Sequence, residues 1–286
     1  MSARNMLKLR SIDEGCLEAA AKLLREGFPS RSLAFWQRGL RRLADHNRTL
    51  GEPSVGTFLM AGEKPVGILL AIPRQDTVTG RRIVNLSSWY VEEAHRWSAA
   101  RLMIAALRDE DTVYTDLTPT QAAAEVNARF GFRTFDTKVH LLVLPWTAIV
   151  GRRRNRLMAL EAVPHGAIHE ELMRDLAKHR ELGCIVTIVA AAGRYCPVVF
   201  DIKPRKHIPT ARVVFAESTD LVMDNLAGLS RMLMLRGVPF MTLQVDEGAS
   251  LPHSVLLRNG MCYQVRGEWD ARKIDELYSE RVLLKV

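Results

Sequence analysis

Cysteine is scarce in this chain of 286 residues: Cys16, Cys184, Cys196 and Cys262 stand far apart, with no CxxC pair among them. Four isolated thiols exclude a zinc ribbon or a disulfide framework and read as reduced, mostly buried side chains. Long apolar runs are missing too, so no segment reads as a bilayer-crossing helix. The opening residues, MSARNMLKLRSIDEG, hold no apolar leader core, and a cytoplasmic location is expected. There is no Walker loop, no G-x-S-x-G elbow and no HExxH, which sets aside the common phosphoryl-transfer, hydrolase and metalloprotease readings. Acidic residues fall short of basic ones, 32 against 40, giving a net charge of +8 and a pI near 9.6. That balance suits an anionic ligand such as a nucleotide cofactor, nucleic acid almost as well, or simply a solvated basic surface.

What is present is ordinary globular composition, 48% hydrophobic and 25% charged, in a chain long enough for one large domain or two of usual size. Leu7 opens a short strand. A helix follows with Leu17, Ala20, Ala21 and Leu24 at helical spacing, then a second with Leu33, Trp36, Leu40 and Leu43 on one face. Residues 55–61 and 65–73 read as a hairpin about Gly62, and 81–91 as a third strand with a helix behind it. In that helix Trp97, Ala100, Ile104 and Leu107 form the expected buried stripe. Residues 112–117 are a strand and 120–130 a helix ended by Gly131. The segments 132–136 and 139–144 complete the half as a hairpin.

Residues 147–165, with the run GRRRNR, read as a basic linker between a first domain at 1–146 and a second at 166–286. The second half restarts with a helix and a hairpin about Gly193. A strand, a helix capped by Ser218 and another strand follow. Helices are expected at 251–259, ended by Gly260, and at 271–278. The order of elements repeats that of the first half, which points to an internal duplication although the letters barely match. His165 and His169 are four apart, one metal-ligand spacing, but without a third ligand they read as surface histidines and no metal is expected.

The whole can be organised around 82–107, RIVNLSSWYVEEAHRWSAARLMIAAL, a strand–turn–helix of the kind that receives phosphate at a helix N-terminus. With the order of elements around it, this stretch resembles the GCN5-related N-acetyltransferase (GNAT) superfamily. Trp89, Tyr90 and Val91 end the strand that would pair with the pantetheine arm of acetyl-CoA. Arg96 stands where that family's Arg/Gln-x-x-Gly-x-Gly/Ala loop begins, and 128–132, ARFGF, looks like its Tyr-x-x-x-Gly-Phe helix end. The resemblance implies an α/β (mixed α+β) fold with a central mixed sheet flanked by helices, duplicated. It implies acetyl-CoA or another acyl-CoA as substrate, held by Trp89, Tyr90, Val91, Arg96, Trp97, Ser98, Ala99, Ala100 and Arg101.

Three positions depart from the family pattern. Ala99 and Arg101 replace the loop glycines, narrowing the approach of a pyrophosphate unless the Arg101 side chain turns outward, where it could pair with phosphate. Asn127 replaces the tyrosine that protonates the leaving thiolate; an amide can hydrogen-bond sulfur but cannot act as an acid. Asp116 and Glu92 are the local carboxylates able to take a proton from an amine, directly or through water, and Asp116 with Asn127 is the candidate catalytic pair. The leading expectation is acyl transfer from acyl-CoA to an unidentified amine. A GNAT-like protein that binds a CoA ester or a partner without turnover comes second. A basic nucleic-acid-binding protein comes third, since the interleaved aromatic and basic motif is missing.

Overall fold

The computed structural model describes residues 7–77, 79–150, 154–246, 248, 251 and 253–285. In chain order the first half holds β1 (Leu7–Ser11), α1 (Leu17–Gly27), α2 (Leu33–Thr49), β2 (Gly56–Ala61), β3 (Lys64–Gln75) and β4 (Arg82–Val91). It continues with α3 (Ala100–Ala106), β5 (Val113–Asp116), α4 (Gln121–Arg129) and β6 (Arg133–Val143). Then come α5 (Leu144–Val150), β7 (Arg156–Met158), α6 (Glu170–Glu181), β8 (Ile185–Ala191), β9 (Arg194–Arg205) and β10 (Ile208–Ala216). The chain closes with α7 (Thr219–Asp224), α8 (Leu226–Met234), β11 (Phe240–Asp246), β12 (Ser254–Arg266), β13 (Ile274–Asp275) and α9 (Glu280–Leu283).

These elements make two compact units. The first runs through Phe132 and takes back Gln264–Glu268 and Tyr278–Val286; the second holds Arg133–Tyr263 and Trp269–Leu277. The units are therefore not the contiguous segments 1–146 and 166–286. The reason lies in β6. Residues 136–138 carry no glycine or proline, so the expected hairpin is instead one unbroken strand, paired antiparallel with β11 from Thr137↔Asp246 to Val143↔Phe240. The edge of β5 is filled by the end of β12, Gln264↔Asp116 to Arg266↔Tyr114. The expected linker at 147–165 holds the end of α5, all of β7 and a short 3₁₀ turn at Leu160–Ala162; residues 151–153 of its basic run lie outside the described residues.

In unit 1 the antiparallel run β1–β2–β3–β4 continues into a parallel β4–β5 pair. Its core joins Leu59, Leu69, Val84, Leu86, Leu102, Met103 and Phe132. On its other helices Trp36, Leu40 and Leu43 are buried as their spacing predicts. Ser32 and Thr120 cap α2 and α4 by accepting from Phe35 N and Ala123 N. Gly131, with φ of 83°, ends α4.

In unit 2 the sheet runs β7–β8–β9–β10–β11–β6, with β10–β11 parallel, over a core of Val198, Phe200, Val213, Leu229, Leu233, Met241 and Leu243. Ser218 caps α7 through Leu221 N. Two expected helices are strands. Residues 251–259 run into β12, a short apolar run that periodicity alone cannot assign, so Gly260 lies inside a strand. Residues 271–278 contain the two-residue β13 against β10. All four cysteines are free thiols, and burial together with Glu217 pushes Cys196 up to about 11, so it packs as an inert side chain.

Candidate active site

The site of unit 1 begins with a bulge. Along β3–β4 the register passes from Ile68↔Tyr90 to Leu70↔Ser87, so Ser88 and Trp89 together face one residue, and Ser88 takes φ of 54°. An extra residue bends and twists a strand. The parallel β4–β5 pairing spans only Ile83↔Val113, Val84↔Tyr114 and Asn85↔Thr115 before the strands part. A cleft of about 230 Å³ opens where they part, walled by Phe28, Arg31, Trp36 and Met103 as well as Ser87, Ser88 and Trp89. Asp116, Thr118 and Glu280 line its other side.

Asp116 is the last residue of β5 and faces this cleft. Its Oδ2 accepts from Asn127 Nδ2 at 2.9 Å, and Oδ1 accepts from the Thr118 backbone N–H at 3.3 Å. Loss of water around the carboxylate, then the nearby Glu280 charge, push its pKa up to about 7, against the lowering effect of those two donors. Asn127 is fully buried and is not part of the cleft wall; it also donates to Gln264 Oε1 at 2.9 Å, and Gln264 donates to Ala124 O. The Asn127 amide thus holds the carboxylate.

Glu280 was not singled out from the sequence. It is 1% exposed, its backbone N–H donates to Asn85 Oδ1 at 3.0 Å, and its Oε1 accepts from the Thr118 hydroxyl. Only the return of the C-terminal segment to unit 1 brings it to the cleft, and no local signal announces that return. Glu92, the other carboxylate considered, is paired with Lys64 at 2.7 Å.

Of the nine residues expected to hold the cofactor, Trp89 lines the cleft. Tyr90 packs on α1 so closely that a Cβ on Gly27 would lie 2.4 Å from its ring. Val91 is buried against Gly67, and Ser98 is buried with its hydroxyl on His95 O. The expected stripe of the following helix is corrected: Trp97 is 77% and Ile104 59% exposed, Ala100 is exposed, and Leu102, Met103 and Leu107 face the core. The chain passes through a 3₁₀ turn at Glu93–Ser98 before α3, which resets the helical phase. Arg96 is exposed and Ala99 partly buried. Arg101 donates to Leu7 O at 2.9 Å, so its guanidinium is engaged by β1.

His165 and His169 are exposed, and among the described residues no three His, Cys, Asp or Glu side chains gather as a metal site requires. Among those residues no helix is long and apolar enough to cross a membrane.

No family model and no curated protein matches this chain. Solved structures do. A GCN5-related N-acetyltransferase from Anabaena variabilis aligns with a TM-score of 0.61 at 11% identity, over 91% of this chain and 72% of its own. Another from Kribbella flavida aligns with a TM-score of 0.57 at 11% identity, over 92% and 71%. Likeness at such low identity speaks to the path of the backbone, a mixed sheet flanked by helices. The chain has the fold of the GCN5-related N-acetyltransferases.

Proposed function

We propose that unit 1 transfers an acyl group from acyl-CoA to an amine. The observation that carries this reading is the cleft itself: a bulged strand parts from its parallel neighbour, and a half-buried carboxylate stands at the neighbour's tip. The fit to an acyl thioester is supported by Trp89. Its indole N–H is buried in the cleft wall with no acceptor among the described residues, a donor that costs free energy until something accepts from it. Acyl-CoA would supply an activated carbonyl. Trp89, Ser87 and Ser88 would hold it, with Tyr90 and Val91 extending the strand along which the pantetheine arm lies, and the turn from Arg96 to Arg101 beyond them.

Asp116 is the base in this reading. An amine is protonated in water at neutral pH and attacks only after losing a proton. A carboxyl group with its pKa raised to about 7 accepts that proton and returns it to solvent with little loss in either direction. Asn127 keeps the carboxylate aimed, and Phe28 and Trp36 give the cleft an aromatic wall suited to a small amine. Titration with acetyl-CoA, followed by free-thiol release across a panel of amines, tests the proposal. Acyl-CoA binding with amine-dependent thiol release is expected. Absence of binding at millimolar concentration overturns it, and binding without turnover assigns the cleft to a non-catalytic CoA-ester receptor.

A further inference from the structure

Glu280 has no part in the mechanism above, yet it is the most deeply buried carboxylate on the cleft wall. Three observations tie it to Asp116. Both line the same cleft. Thr118 touches both, its backbone N–H on Asp116 Oδ1 and its hydroxyl on Glu280 Oε1. The backbone of Glu280 is pinned to Asn85, on the strand from which β5 parts. We infer that Glu280 is a positioning residue: across Thr118 it forms with Asp116 a pair of carboxylates that together take up one proton, the one that Asp116 accepts from an ammonium substrate. The inference deepens, and for its catalytic part rests on, the acyl-transfer reading.

Of the charged groups near Asp116, Arg31, between α1 and α2, lies in the cleft wall, and Arg281 on α9, next to Glu280, donates to Leu117 O at 3.1 Å. Asn127 from α4, Gln264 from β12, and Ser87 and Ser88 from β4 are uncharged. Two carboxylates that Thr118 joins in a poorly hydrated site do not both stay ionised readily, so the ionised pair takes up one proton at a pH where an isolated aspartate would not. The step then balances. The ammonium gives one proton to Asp116, the neutral amine forms the C–N bond while the C–S bond breaks, and the second N–H proton passes to the leaving thiolate. Amide, free thiol and one proton returned to solvent result.

The test is direct titration of the Asp116 side-chain carbon by NMR in the full chain, for the natural protein, Glu280→Gln and Glu280→Met. Glutamine keeps the shape and still accepts the Thr118 hydroxyl; methionine removes the charge at similar length. In both variants the Asp116 midpoint is expected to fall by roughly one pH unit, and the acidic limb of kcat/KM for acyl transfer to move down with it. An unchanged midpoint in both variants overturns the inference. Because the titration needs no turnover, a midpoint that moves in a protein without acyltransferase activity upholds the pair and sinks only the catalytic reading.

Discussion

Each unit contains a strand that leaves an antiparallel hairpin, runs parallel to the strand beyond the next helical segment and then carries a bulge. In unit 1 the parallel pairing covers 83–85 against 113–115, and beyond it the edge of β4 opens onto the cleft. In unit 2 it covers 210–212 against 240–242, after which the free edge of β10 is taken by β13. Phe215 is paired with Val199 on one side and Asp275 on the other, and Glu276 N donates to Val214 O at 2.7 Å. The polar groups follow the same division. Asp116 and Glu280 share their cleft as two carboxylates, whereas in unit 2 Arg212, which holds the place of Asn85 in the parallel pairing, is paired with Glu276 and further bonded to Gln244. One backbone device can thus be a site or a piece of scaffold, depending on whether two residues of strand plug the gap.

The most severe way to break this comparison is at the carboxylate. Asp116→Asn keeps the shape of the β5 tip and removes the base, so kcat/KM for acyl transfer should fall by roughly 10²- to 10⁴-fold. Arg212→Met, a charge removed from the parallel pairing of unit 2, should leave kcat/KM of the folded fraction unchanged. Thiol-release kinetics on the two variants give the contrast directly.

A second difference is expected in the pH dependence of stability. Asp116 has a folded-state pKa near 7 against an ordinary value of 3.8, so between those values the folded chain binds more protons than the unfolded one. Stability from this group is therefore fully present below about pH 4 and is lost as pH rises through about 7. Urea unfolding of the natural chain at pH 5 and pH 8 should show the decline, and Asp116→Asn should flatten it.

Much of unit 1 was legible because its cues are local. Helical spacing of Leu, Ala and Trp placed α1 and α2, Gly131 ended α4, and the strand ending at Val91 was read where it lies. What escaped depends on distant partners. Nothing within 132–144 says that β6 pairs with β11, and nothing near Glu280 says that it faces Asp116, 164 residues earlier. The misplaced stripe on α3 has a different cause. A 3₁₀ turn shifts the phase, so Trp97 and Ile104 face solvent although their spacing fits a buried face. Asn127 was found by position, but its partners on Asp116 and Gln264 required coordinates.

The plug of unit 2 offers the third test. Arg212 and Glu276 side chains are only 18% and 12% exposed, with Nη2 and Oε1 2.7 Å apart. Removing one member of such a pair strands the other charge in a poorly hydrated place, and Glu276→Ala should cost about 3 kcal/mol in chemical unfolding. Activity should survive in the folded fraction, since the cleft of unit 1 draws no residue from β13. If activity were lost in step with that plug, the division of labour between the units would fail.

The smallest effect is expected where unit 1 packs β4 on α1. Gly27 is the last residue of α1, and a Cβ there would sit 2.4 to 2.9 Å from three atoms of the Tyr90 ring. Tyr90 also packs against Phe28, ring centroids 6.4 Å apart. Overpacking of this kind costs about 1–3 kcal/mol. Gly27→Ala should therefore destabilise the chain by that amount and also weaken acyl-CoA binding, because the displaced ring belongs to the residue beside the bulge. Adding Tyr90→Ala to Gly27→Ala should recover the part of the loss that comes from the clash, a coupling that a double-mutant cycle measures. If the two changes merely add, the close approach of α1 to β4 does not set the position of the strand.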